Sequence, residues 1–319
     1  MTQRHVAADR PGSELERTGV LLGVAAYGLW GLFPLYFHLL DSASAVEVLC
    51  HRILWSLVVL AIFLAVRGER GWLRELFSDR GRLARLAAAA VLIAINWVVY
   101  VWAVGQDRVV EGALGYFICP LVTVLLGVGV LRERLRSLQW AAVGLGLLAV
   151  VVLTVAYGHP PWIALTLAVS FAAYGYIKKH IDMAPAHSLA GETAVLAPAA
   201  LAVLVWLEVD HSAEFGAGGL RMSLLLAGTG IITVVPLALF AAAASRIPLS
   251  MLGLLQYLTP STQFVIAVTV FGETMSTEQW VGFALVWTAL VLLTVDAVRS
   301  LRAGRPGDEL LTAAAADLG

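Results

Sequence analysis

Residues 120–155 read PLVTVLLGVGVLRERLRSLQWAAVGLGLLAVVVLTV, and residues 260–295 read PSTQFVIAVTVFGETMSTEQWVGFALVWTALVLLTV. Overlaid at an offset of 140 residues, twelve of the 36 positions are identical without a gap, among them Pro120/Pro260, Glu133/Glu273, Gln139/Gln279, Trp140/Trp280 and Thr154/Thr294. Apolar composition gives chance matches at Val and Leu but not at Pro, Glu, Gln and Trp, so the chain carries a duplication. Each segment is two apolar runs joined by a short polar link. That is the pattern of two membrane crossings.

Outward from this pair, apolar runs of crossing length fall at residues 18–40, 45–66, 85–104, 109–131, 137–157, 161–177, 188–207, 221–244, 248–271 and 277–298. Ten spans in two copies give five per copy. Five is odd, so the second copy enters the bilayer from the opposite side, and the copies are related by an axis in the membrane plane, the plan of many secondary transporters. The expected fold class is an all-α integral membrane protein of ten transmembrane helices in two inverted five-helix repeats. The expected divisions are a cytoplasmic tail at 1–17, a first repeat at 18–157, a second at 161–298 and a cytoplasmic tail at 299–319. In the front halves AAYG at 25–28 recurs at 172–175, and Glu47 recurs as Glu192. The first run is too long, and too poor in a small-residue cleavage site, for a signal peptide.

Lysine and arginine orient the bundle. With both termini in the cytoplasm, the inner segments hold eighteen basic residues and the outer loops only Arg108 and Arg221. The positive-inside rule therefore predicts cytoplasmic termini. The long inner link, RGERGWLRELFSDRGRL at 67–83, gathers Trp72, Leu73, Leu76 and Phe77 on one helical face and is expected to lie on the inner membrane surface.

Composition agrees. Of 319 residues, 60% are hydrophobic and 13% charged, where soluble domains have roughly 45–50% and 25%. An ordinary soluble enzyme and a disordered chain are both excluded. A net charge of −1 leaves no basic surplus for nucleic acid. Cys50 and Cys119 both lie in apolar runs and imply no disulfide framework.

Ionisable groups inside the spans are the candidates for function, because each costs about 2.5–3.5 kcal/mol to insert. In the second span Glu47, His51 and Trp55 share a helix face, with Arg52 about 100° round and roughly a third of the way into the membrane. Tyr36, His38, Asn96, Trp97, Tyr100, Glu111 and Tyr116 can converge on Arg52 from neighbouring spans, with Glu47 or Glu111 as its expected carboxylate partner. Inversion predicts a second, inner-half set of Tyr174, Lys178, Glu192, Gln256 and Tyr257. Two polar clusters on opposite sides of the midplane suit an alternating gate.

Plainer readings stand beside these. Glu47 and Arg52 can form a structural ion pair. Lys178 and Asp296 are expected to snorkel to the surface, and Glu133 and Glu273 to be structural or gating groups. Trp30, Trp55, Trp97 and Trp102 serve as packing, interface anchors or substrate walls. Gly19 and Gly23 form a GxxxG, a weak signal in a membrane helix. Pro34, Pro120, Pro198, Pro236 and Pro260 are expected to kink their spans.

The chain has two lysines, neither in a Walker A context, so direct ATP hydrolysis is excluded. HExxH, GxSxG and a dinucleotide fingerprint are also missing from the sequence, and no metal or cofactor is expected. Three function classes remain: a permease, an intramembrane enzyme acting on lipid-borne substrate with Glu47 and His51 as acid and base, and a non-transporting membrane sensor. The inverted repeat favours the permease, since an enzyme has no need of two-sided symmetry.

GVAAYGLWGLFPLYF at 23–37, EVLCHRILWSL at 47–57, NWVVYVWAV at 96–104, EGALGYFICPLVTVLLGV at 111–128, RIPLSMLGLLQYLTPSTQF at 246–264 and the GE ending at Glu273 together resemble the RarD group of the EamA family, in the drug/metabolite transporter superfamily. The resemblance covers nearly the whole chain between Thr18 and Val298. Cys119 stands where the group's pattern has asparagine before Pro120. The resemblance implies a central cavity lined by the first four helices of each half, the fifth and tenth helices at a peripheral or homodimer-facing position, and transport in a bacterial cytoplasmic membrane. The group carries the label of a chloramphenicol-sensitivity permease, while relatives move amino acids, nucleotide sugars and drugs. The expectation is a secondary transporter exporting a small amphipathic or anionic molecule, amino-acid-like or phenicol-like. Arg52 is the expected carboxylate contact, and Glu47, Glu111 or Glu192 the proton carrier.

Overall fold

The computed structural model describes residues 11–69, 71–131, 135–247 and 249–302. They form the helices α1 (Pro11–Gly31), α2 (Phe33–His38), α3 (Ala45–Val66), α4 (Trp72–Phe77), α5 (Arg80–Gly105), α6 (Val109–Leu131), α7 (Ser137–Tyr157), α8 (Trp162–Lys178), α9 (Pro185–Val209), α10 (Gly219–Ala244), α11 (Leu249–Leu255), α12 (Leu258–Thr269) and α13 (Thr277–Arg302). Among the described residues nine helical stretches are long and apolar enough to cross a membrane, counting α1 with α2 and α11 with α12 as one each. The tenth crossing is α8, whose 17 residues rise about 25 Å. The protein is an integral membrane bundle of two inverted five-helix repeats.

Only two of the five prolines interrupt their spans. α1 stops at Gly31 and α2 starts at Phe33 with Pro34 in its first turn. The carbonyl of Trp30, which Pro34 has no N–H to serve, accepts instead from Gln263 Nε2 at 3.3 Å. Pro260 lies in the first turn of α12, just after the break between α11 and α12. Pro120, Pro198 and Pro236 sit inside continuous helices.

The helices alternate in direction. We call the end where α1 starts the near end and the opposite one the far end. α7 and α13 pack chiefly on each other, so the fifth and tenth spans stand at the periphery. The other tight pairings are α6 with α8, α5 with α8, α1 with α10, and α3 with both α9 and α10, so the two repeats interlock through α3. Glycines allow this approach. A Cβ at Gly115 of α6 would lie 2.8 Å from Leu167 Cβ and 2.9 Å from the Ala164 carbonyl oxygen of α8. The Gly19/Gly23 pair has a real packing role, for a Cβ at Gly19 would sit 2.7 Å from Arg246 Cβ and one at Gly23 2.8 Å from Leu255 Cδ1.

α4 departs from expectation. Trp72 and Leu76 are buried with Leu86, Leu189 and Ala190 in a near-end cluster, while Leu73 is exposed. The helix docks on the bundle through Trp72 and Leu76. His187, in the first turn of α9, fastens it there: Nδ1 is 3.0 Å from Glu75 and Nε2 3.0 Å from Glu69.

Candidate functional site

Ser44 caps α3, its hydroxyl accepting from the Glu47 N–H at 3.1 Å. The helix so started carries Glu47, His51 and Arg52 into the bundle, all buried. One helical turn separates two different surroundings. Glu47 Oε1 accepts the N–H groups of Glu214 (2.8 Å) and Phe215 (3.0 Å) in the α9–α10 link, and His51 stacks on the Phe215 ring with centroids 4.6 Å apart. Both groups hold the far-end link of the other repeat. Glu111 is likewise engaged, paired with Arg108 and accepting from the Ile163 N–H at the start of α8 (3.2 Å).

Arg52 therefore pairs with neither expected glutamate. Its Nε donates to Thr233 Oγ1 of α10 at 2.8 Å, and that is its one hydrogen bond among the described residues. The guanidinium carbon lies 3.9 Å from the ring centre of Trp97, 5.4 Å from Phe33 and 5.6 Å from Phe37. The residue is 4% exposed, and among the described residues no carboxylate comes within 4.0 Å of it. Aromatic faces attract a desolvated cation by about 2 kcal/mol but satisfy none of its N–H donors. Among the described residues the two terminal nitrogens of the fork have no hydrogen-bond partner.

A row of rings leads away from this cage. Phe37 meets Tyr100 at 6.2 Å, Tyr100 meets Tyr116 at 5.7 Å, Tyr116 meets Phe171 at 5.6 Å, and Phe171 stacks on Tyr174 at 6.2 Å. Asn96 braces the middle: its Nδ2 donates to the Leu167 carbonyl (3.0 Å) and Ser170 Oγ (3.1 Å), and its Oδ1 accepts from Tyr116 (2.9 Å). The Tyr100 hydroxyl is buried without a hydrogen-bond partner among the described residues. At the near end of the row, Lys178 Nζ lies 5.6 Å from the Tyr174 ring centre.

Lys178 does not snorkel. Its side chain is 8% exposed, and Nζ donates to Ser188 Oγ (2.6 Å) and Glu192 Oε1 (2.7 Å). Glu192 also accepts from Tyr174 (3.1 Å) and Ser188 (3.1 Å). Asp296 is buried too and forms a forked pair with Arg136, with Nε at 3.1 and 2.9 Å from its two oxygens. Gln256 and Tyr257 stand apart at the break between α11 and α12; Tyr257 packs with the cluster around Phe117 and Phe264, Tyr174 with the one around Leu86 and Leu189. Trp30 packs on Tyr27 and Phe240 rather than on Arg52. Tyr36 and His38 serve the far end, Tyr36 donating to the Leu225 carbonyl (2.6 Å) and His38 lying on Phe271 (4.8 Å).

Glu273, in the link before α13, closes the far end a third time. Its two oxygens accept the N–H groups of Val109 (2.6 Å) and Val110 (3.0 Å), which open α6. Burial pushes this carboxyl up to about 7, against the lowering effect of those two bonds. Its repeat partner Glu133 lies outside the described residues. Among the described residues no group of His, Cys, Asp and Glu could hold a metal, and both cysteines are free.

Thr233, Phe33, Phe37 and Phe171 were not singled out from sequence. A threonine or phenylalanine in a span carries no local signal, and only the crossing of α2, α5, α8 and α10 brings them together.

Charges paired within ten oppositely repeated apolar helices define a membrane carrier. Residues 17–155 and 161–295 each match the EamA-like transporter family. The chain is 51% identical over 290 residues to Protein RarD of Streptomyces exfoliatus, covering 91% of this chain and 92% of that protein. It is 37% identical to an uncharacterized transporter of Vibrio cholerae, covering 92% and 98%. It is 33% identical to the chloramphenicol-sensitive protein RarD of Pseudomonas aeruginosa, covering 89% and 96%. A protein of known crystal structure, 17% identical, superposes with a TM-score of 0.56 over 87% of this chain and 97% of its own, a likeness of fold alone. The chain belongs to the EamA-like transporter family, and within it to the RarD group of the drug/metabolite transporter superfamily. It is a multi-pass membrane transporter and not an enzyme.

Proposed function

We propose that this transporter is a secondary carrier that exports a small amphipathic molecule with an anionic group by alternating access, and that Arg52 receives the anion. The observation that carries this reading is the fork of Arg52: a permanent charge, 4% exposed, whose terminal nitrogens have no partner among the described residues. A guanidinium held in a membrane without a counter-charge is several kcal/mol unfavourable, and a planar oxyanion on its two free nitrogens would offset that. The aromatic walls suit an apolar or ring-bearing body on the same ligand. Glu47 and His51, the acid–base pair that an intramembrane enzyme would use, are spent on the α9–α10 link. The basic-residue count supports a cytoplasmic near end.

The test begins with a thermal-shift screen of purified protein against amino acids, phenicols and organic acids. For a ligand found there, Arg52→Lys keeps the charge and loses the fork, and is expected to weaken binding at least about tenfold. Wild-type affinity in a well-folded Arg52→Lys protein would end the substrate role of Arg52.

A further inference from the structure

Arg52 and Lys178 come from opposite repeats and stand at opposite ends of one row of rings, through Phe37, Tyr100, Tyr116, Phe171 and Tyr174. They differ in one respect. Arg52 waits without a carboxylate, whereas Lys178 holds Glu192 at 2.7 Å. The cation at the near end of the row is thus already taken.

We propose that Lys178 is a second anion site, for the carboxylate of an aromatic monocarboxylic acid, and that the arriving carboxylate displaces Glu192, which leaves the pair as the neutral acid. This rests on the carrier reading above and specifies its substrate class and its coupling. The exchange is balanced. Lys178 exchanges one carboxylate for another, and the released Glu192 oxygen takes a proton from water on the side to which the site is open. Without that proton, two carboxylates would share one ammonium in a site that is nearly closed to water, an uncompensated buried charge. With it, the site carries no net charge before the exchange, and none after it once the bound carboxylate is counted.

The surroundings accept either form of Glu192. The Tyr174 hydroxyl donates to Oε2 and Ser188 Oγ both donates and accepts, so a protonated carboxyl keeps its hydrogen bonds when the ammonium turns away. Of the other charged groups on the packed elements, His187 of α9 pairs with Glu75 of α4 and Glu69 of the α3–α4 link, Arg82 of α5 with Glu75, and Arg85 of α5 with Asp79. None of them is within salt-bridge distance of Glu192 among the described residues.

The experiment is calorimetric titration of the full chain in detergent with phenylacetate and its neutral isostere 2-phenylacetamide near neutral pH, in buffers of different ionisation enthalpy. The proton count per ligand follows from the buffer dependence. Phenylacetate is expected to bind with uptake of about one proton, and the amide not to bind. Glu192→Gln is expected to bind phenylacetate with no uptake, and Lys178→Met/Glu192→Gln, which keeps the pair neutral, to lose the binding that Glu192→Gln retains at Lys178. Wild-type binding without proton uptake, uptake that persists in Glu192→Gln, equal binding of the amide, or no phenylacetate binding at millimolar concentration would each overturn the proposal. Arg52→Lys separates it from the Arg52 reading. Undiminished affinity there, with uptake still abolished by Glu192→Gln, would retire the Arg52 contact and leave the exchange standing.

Discussion

Removing Arg52 should cost this protein little stability. In Arg52→Met the side chain keeps its length and apolar stem and loses the guanidinium. The losses are one hydrogen bond to Thr233, worth about 1.5–3 kcal/mol with a charged donor, and the approach to Trp97 at 3.9 Å, worth about 2 kcal/mol where water is excluded. Against them stands the charge itself, whose insertion costs about 2.5–3.5 kcal/mol and which no resident carboxylate answers. The two sides nearly cancel, so the net change is expected to stay within about 2 kcal/mol. Breaking a true buried ion pair would instead cost about 3–5 kcal/mol. Thermal unfolding of purified protein in detergent, beside membrane yield, reads this directly, and ligand titration of the same sample should show the anion binding that depends on Arg52 gone. A variant that fails to accumulate, or that loses stability on the ion-pair scale, would refute the claim that the fork is an unoccupied functional group.

The remaining expectations are simpler to state. The carboxyl of Glu273 sits at about 7 in the fold against an ordinary 4.5, so the fold holds a proton that the unfolded chain releases across that window; its stabilisation is full below about 4.5 and is lost as pH rises through about 7. Glu273→Gln should flatten the melting temperature over that range, and a slope equal to wild type would contradict it. Gly115→Ala drives a Cβ into the α8 backbone and should destabilise by about 1–3 kcal/mol, whereas Gly144→Ala, with open space around it, should stabilise by about 0.5–1 kcal/mol in the same unfolding assay. Cysteines placed at Ser42 and His159 should react in intact cells with an impermeant thiol reagent while one at Gly304 does not; labelling at Gly304 would reverse the orientation.

The architecture was legible because membrane physics restricts it so heavily. Apolar runs, basic links and a gapless repeat of Pro, Glu, Gln and Trp were enough to read ten spans in two inverted halves, and the resemblance placed the α7/α13 pair at the edge. Partnerships were another matter. Arg52, Glu47, Glu111, Lys178 and Glu192 all stood out as charges in spans, but which charge meets which depends on crossing angles and link paths that no local pattern encodes. Glu47 was read toward Arg52 through α3, whereas the α9–α10 link reaches it first with two N–H groups. Lys178 looked like a snorkelling residue because it ends a helix. The docking of α9 with Ser188 and Glu192 turned it inward. Thr233 and Phe171 left no trace in the sequence at all.

The far-end segments are tied together by carboxylates that bind main chain: Glu47 on residues 214 and 215, Glu111 on 163, Glu273 on 109 and 110. A backbone donor is present whatever side chain sits there. The receiving links can therefore drift in sequence, changing the shape and charge that a passing solute meets, without loosening the seal. Proline alone among the twenty residues would remove the donor, so a proline at position 110 or 215 is the substitution that would separate closure from chemistry.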